Sequence, residues 1–173
     1  MAEALTIVSI APVFDAALYR QVSGAGDSGG VAATVLQQWD RLVGWLRGYR
    51  CNRQPLLPDV AVFYLESQAE TLLAETWNRS ALHGWQLHNL AVTAVMSAAG
   101  DAIPEIRRHG CAPVPAVEST LRQCLAQIGQ PLDAAGNLPR QYAVMTFMPY
   151  AGGCEVCRLR DACPKKRFPG TPF

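Results

Sequence analysis

The sequence predicts an all-α fold, a compact helical bundle closed by a C-terminal metal-binding lobe, and three observations lead there. Apolar residues recur at helical spacing through separate stretches of the chain. Ser, Asp, Pro and Gly stand where helix starts and stops need them. Three of the six cysteines crowd into ten residues, as Cys154-x2-Cys157-x5-Cys163 followed by Pro164. With 173 residues, half of them apolar, the chain has the size of one domain with one ordinary core. The expected organisation is a single domain over 1–173, with a helical core over 1–150 and a cysteine-rich basic lobe over 151–173.

The opening run Leu5-Thr6-Ile7-Val8-Ser9-Ile10 fits a short strand and the start of a helix equally, because short apolar runs do not separate the two. Ser23 to Gly30 breaks any regular element; without a Gly-Lys-Ser/Thr ending it reads as a surface loop. From Val31 to about Tyr49, Val31, Val35, Trp39, Leu42, Val43, Trp45 and Leu46 recur at the spacing of an amphipathic helix. Pro55 and Pro58 end the next loop, and Asp59 is placed to cap a helix through Val62, Leu65, Ala69, Leu72, Leu73 and Trp77. Ser80 is placed to cap another, apolar on two sides and therefore central, running to Gly100.

A short piece ends at Gly110. The connector Cys111-Ala112-Pro113-Val114-Pro115 then leads to a helix using Val117, Leu121, Cys124, Leu125 and Ile128, with Pro115 suited to its first turn. A polar turn at Asp133 to Asn137, an apolar stretch from Tyr142 to Tyr150 and the pair Gly152-Gly153 precede the cysteine segment. The total is five or six helices.

Formal net charge is +1, so bulk charge makes the molecule neither a polyanion binder nor a membrane-surface protein. No apolar run approaches the roughly 18 uncharged residues of a membrane span. The first basic residue is Arg20, which does not match the basic start of a secretory signal. A cytoplasmic protein without membrane contact is expected. In that setting clustered cysteines favour metal ligation over a disulfide framework.

Thiolates hold metal when several converge, and Cys-x2-Cys puts two sulfurs on one side of a tight turn. Cys163 adds a third about a turn and a half of helix further on. One short helix would present Cys157 and Cys163 around a body larger than one ion, which suits an iron–sulfur cubane better than zinc, the alternative cofactor. Gly152 and Gly153 let bare backbone approach the sulfurs. A remote cysteine followed by Cys154-x2-Cys157-x5-Cys163 resembles the [4Fe-4S] ligand pattern of WhiB-like regulators, of endonuclease III and MutY glycosylases, and of CRISPR-associated and recombination exonucleases. The match covers ten residues. It implies a [4Fe-4S] cluster on Cys154, Cys157 and Cys163. Cys111, in a loop able to bend toward the cluster, is the favoured fourth ligand; Cys51, Cys124 and His109 are alternatives, with Cys124 reading better as a buried core thiol.

His83 and His88, five apart, share no helical face and read as satisfied or surface residues. Glu66, Glu70 and Glu75 lie on one expected helix begun by Asp59 and read as a solvated face. Met145, Phe147, Met148 and Tyr150 precede the lobe and would sheath it. Arg158, Arg160, Lys165, Lys166 and Arg167 oppose only Glu155 and Asp161 from Cys154 onward, a local basic excess. Two functions follow as expectations. The first is a small iron–sulfur accessory or electron-transfer protein docking on a redox or cofactor-assembly partner. The second is a nucleic-acid-binding regulator or complex subunit whose basic lobe, those five cations, is stapled by the metal. No catalytic constellation is evident.

Overall fold

The run Val60-Ala61-Val62-Phe63-Tyr64-Leu65 is rich in β-branched and aromatic residues, which pack best on a pleated surface, and all six are buried. It is a strand, and the architecture around it is mixed α/β. The computed structural model describes residues 5–24, 31–53 and 57–163. In it β1 (Leu5–Ile7), β2 (Leu46–Cys51), β3 (Val60–Leu65) and β4 (Ala143–Phe147) form one antiparallel sheet in the order β1-β2-β3-β4. The helices are α1 (Ala16–Ser23), α2 (Ala33–Leu36), α3 (Trp39–Gly44), α4 (Ser67–Arg79), α5 (Ala81–Ala102), α6 (Pro104–His109) and α7 (Ser119–Gln127). The all-α bundle expected from the sequence is therefore corrected.

Burial on both faces explains the misreading. Ala61, Phe63 and Leu65 join a large cluster with α5 and the other helices on one face, whereas Val60, Val62 and Tyr64 join Leu121, Cys124 and Leu125 of α7 on the other. A strand covered on both sides has no polar alternate residue, so period two vanishes. Leu65, Ala69 and Leu73 then extend an apparently helical spacing into α4. Asp59, expected to cap that helix, instead accepts hydrogen bonds from the Arg50 guanidinium, at 2.9 and 2.6 Å, and from the Arg53 N–H, at 2.8 Å.

The helix expected over 31–49 is interrupted too. Only α2 and α3 form, and from Leu46 the chain pairs with β3, Leu46 opposite Leu65 and Cys51 opposite Val60. Gly48 lies opposite Phe63, and a Cβ there would come within 3.2 Å of the Phe63 ring and of Ile10. The bare backbone lets the ring settle on the sheet.

Of the expected helix starts, Ser80 holds, whereas Asp59 precedes a strand and Pro115 lies four residues before α7 begins at Ser119; the stop expected at Gly100 comes at Ala102. The Ser80 hydroxyl accepts the His83 N–H at 3.3 Å and begins α5. Thirteen of the 22 residues of α5 are buried, many of them small, so neighbouring helices approach closely. Trp77 of α4 lies directly on Gly84, where a Cβ would be 2.5 Å from the ring. No described helix is long and apolar enough to cross a membrane.

Candidate functional site

Beyond β4 the chain must reverse within a few residues, and the sequence supplies two glycines to do it. Gly152 and Gly153 both adopt left-handed conformations, with φ of 59° and 71°, which L side chains enter at a cost. The Gly153 N–H bonds back to the Ala151 carbonyl at 2.8 Å. Two short 3-10 turns follow, Gly153–Glu155 and Arg160–Ala162. The single helix expected to carry Cys157 and Cys163 is not formed, and the two cysteines stand on different turns.

The connector after α6 holds this segment in place. The Val114 N–H donates to Cys157 Sγ at 3.4 Å, and the Arg158 N–H donates to the Val114 carbonyl at 2.8 Å. Cys157 N–H reaches the Cys154 carbonyl at 3.4 Å, so the Cys-x2-Cys unit is one closed turn. Cys154 is exposed, Cys111, Cys157 and Cys163 are half-buried, and none of the four is in a disulfide.

Tyr150 is the centre of the arrangement. Its ring stacks on His109, the last residue of α6, with centroids 5.2 Å apart and planes 15° apart. Burial raises the pKa of its hydroxyl, and the negative potential of Cys111, Cys154 and Cys157 raises it further, with Glu105 contributing less. Cys111, Cys154 and Cys157 thus all lie within electrostatic reach of Tyr150, on which His109 stacks. Cys163 follows the second turn at the limit of the described residues.

Neighbourhood is not convergence. Among the described residues no group of three or more His, Cys, Asp or Glu side chains is placed to hold a metal ion. The expected [4Fe-4S] cluster on Cys154, Cys157, Cys163 and Cys111, and its zinc alternative, are corrected on that geometry. Two of the other candidate ligands are committed elsewhere, because Cys51 and Cys124 form a disulfide with Cα atoms 6.1 Å apart. Strand register explains the pairing. Cys51 lies opposite Val60, so its side chain leaves the sheet on the same face as Val60, toward α7. Cys124 occupies the inward face of α7, as its core position suggested, but as half of a bridge.

The remaining candidates have ordinary partners. Arg158 donates to the Ala135 carbonyl at 3.0 Å, and Arg160 pairs with Asp161 at 3.2 Å. Lys165, Lys166 and Arg167 lie outside the described residues. His88 Nδ1 and the Tyr142 hydroxyl are hydrogen-bonded at 2.8 Å. Glu66 pairs with Arg47, Glu70 with Arg140 and Glu75 with Arg79. Met145 and Phe147 are buried in the α7-side cluster.

No protein-family model, no curated protein and no solved structure matches the chain. One feature of the site escaped sequence reading, the bridge, visible only once β2 is known to be a strand; the sequence predicts Tyr150 beside the cysteine lobe, but not its stacking on His109.

Proposed function

We propose that this protein is a small accessory protein that docks on a redox partner and passes electrons to it by thiol–disulfide exchange at Cys154 and Cys157. The observation that carries the reading is the asymmetry of the Cys-x2-Cys turn. Cys154 is exposed, whereas Cys157, one turn on, is half-buried with the Val114 N–H on its sulfur. A hydrogen bond to sulfur favours the thiolate, and two residues bracketing a turn lie within about 7 Å at their Cα atoms, inside the span a disulfide needs.

The chemistry balances with a partner disulfide as oxidant. The Cys154 thiolate attacks one sulfur of that disulfide, forming a mixed disulfide and releasing one partner thiolate. The Cys157 thiolate then attacks Cys154 Sγ, closing a Cys154–Cys157 bridge and releasing the second. Two electrons leave the protein and the partner disulfide becomes a dithiol. Exposed apolar side chains beside the pair, Val156 and Leu159, provide contact surface for docking.

The test is trapping. In Cys157→Ser the second attack is blocked, so incubation with bis(2-hydroxyethyl) disulfide should leave a stable adduct on Cys154, mapped by peptide mass. The unsubstituted protein should instead lose two hydrogens and carry a Cys154–Cys157 bridge. A bridge mapped elsewhere, no adduct, or thiols held unreactive by a stoichiometric metal would overturn the proposal.

A further inference from the structure

Beside the thiol turn runs an open cleft of about 240 Å³ whose walls are shared between β4, the connector and the cysteine segment. Val114, Met145 and Leu159 are among its apolar lining, and Arg140 and Arg158 both line it as well. Two cations facing one groove repel each other unless something neutralises them. Glu70 pairs with Arg140 at 3.6 Å through one carboxylate oxygen while its other oxygen accepts the Gln141 N–H at 2.9 Å, so one carboxylate stands against the two guanidinium groups. Arg158 has no carboxylate partner among the described residues; one of its two terminal nitrogens donates to the Ala135 carbonyl. The Nε of each arginine is enclosed and lacks an acceptor. Arg158 also packs against Gly136, where a Cβ would strike its guanidinium.

We infer that this cleft receives an acidic segment of the partner protein, whose carboxylates would sit between Arg140 and Arg158 in the forked geometry guanidinium groups favour. The inference rests on the thiol-exchange reading for its purpose. Arg158 follows Cys157 directly, and Val114 contributes its side chain to the cleft and its N–H to the Cys157 sulfur. A segment held there is delivered to the thiol pair. Charge complementarity would select partners mainly through the encounter rate.

The test uses two extended peptides with the same internal disulfide, one flanked by aspartates and one by lysines, plus the neutral bis(2-hydroxyethyl) disulfide. The reduced protein should consume the acidic peptide about tenfold faster than the basic one at low ionic strength, and the ratio should shrink as salt rises. In Arg140→Gln/Arg158→Gln the ratio should fall to about one. A cysteine-free acidic peptide carrying a fluorophore should bind the native protein and lose affinity for the double variant. Circular dichroism of that variant establishes that it is folded, and single Arg140→Gln, which leaves the packing on Gly136 intact, gives a second reading. Equal rates for the two charged peptides, with the neutral disulfide consumed, would overturn the cleft alone. Failure to reduce the neutral disulfide while the cysteine-free peptide still binds would overturn the thiol-exchange reading alone.

Discussion

Breaking the Cys51–Cys124 bridge is the perturbation whose size follows most directly from the structure. The two residues are separated by 73 positions in the sequence, and closing a loop of that length removes about 15 cal/mol/K from the unfolded chain, or about 4.4 kcal/mol at 25 °C, in the chain-entropy account. Both sulfurs are buried, with residue exposures of 1% and 4%, so each Cys→Ala change also removes a packed atom at a further cost of about 1 kcal/mol. Cys51→Ala alone should therefore cost about 5 kcal/mol, Cys124→Ala about the same, and the double substitution about 6 rather than 10. With a urea dependence near 2 kcal/mol per molar, the double variant should unfold about 3 M earlier than the bridged protein. The assay is urea unfolding of the four proteins of this cycle, with intact mass confirming the bridge. Costs that simply add, to within about 0.5 kcal/mol, would mean that the cysteines do not act as a pair, and the entropic argument would fail.

Three further outcomes can be measured. Phe63→Ala removes a fully buried ring between the sheet and α5 and should cost about 3–5 kcal/mol in the same unfolding assay. Gly152→Ala forces a side chain into φ of 59° and within 2.9 Å of Val156, a penalty of about 1–2 kcal/mol; faster alkylation of Cys157 without a lower global midpoint would show the loss confined to the thiol turn. Stability should also be bounded by pH on both sides. Burial lowers the pKa of His88, so its contribution is present above the unfolded value near 6.5 and declines as pH falls. Tyr142 is pushed up to about 12, chiefly by burial, so its contribution is complete below about 10 and is lost as pH rises toward 12. Urea midpoints across pH should show both declines, with the alkaline one reduced in Tyr142→Phe and the remainder carried by Tyr19, Tyr64 and Tyr150, whose pKa values burial also raises.

The helices that were legible in the sequence are those with local punctuation. Ser80 announces α5 through a hydroxyl that reaches His83, and Leu121, Cys124 and Leu125 mark the buried stripe of α7. What stayed hidden was the sheet, because its signals are not local. β3 carries no alternation since both of its faces are covered, and β2 is recognisable only through its pairing with β3. For the site, the glycine pair before the first cysteine was readable as a place for side-chain-free backbone, and it is where the chain takes two left-handed conformations. Convergence on a metal was not, because spacing says how far apart cysteines lie along the chain and nothing about where their sulfurs point.

The same distinction separates the two kinds of cysteine and connects them. The bridge joins the end of β2 to the middle of α7, and the ion pair between Arg53 and Glu118 joins the loop after β2 to the residue preceding α7. The connector that leads into α7 is fixed at its other end by the buried Thr146 hydroxyl, which donates to the Pro113 carbonyl at 2.9 Å. Val114 sits between those anchors, and its N–H is the group that meets Cys157 Sγ. A hydrogen bond to sulfur biases a thiol only if its donor is held still, since a mobile N–H trades the sulfur for water at little cost. The buried bridge and the Thr146 hydrogen bond thus flank the backbone that carries the N–H on Cys157, and the exchange proposed at the Cys154–Cys157 turn would draw on that support.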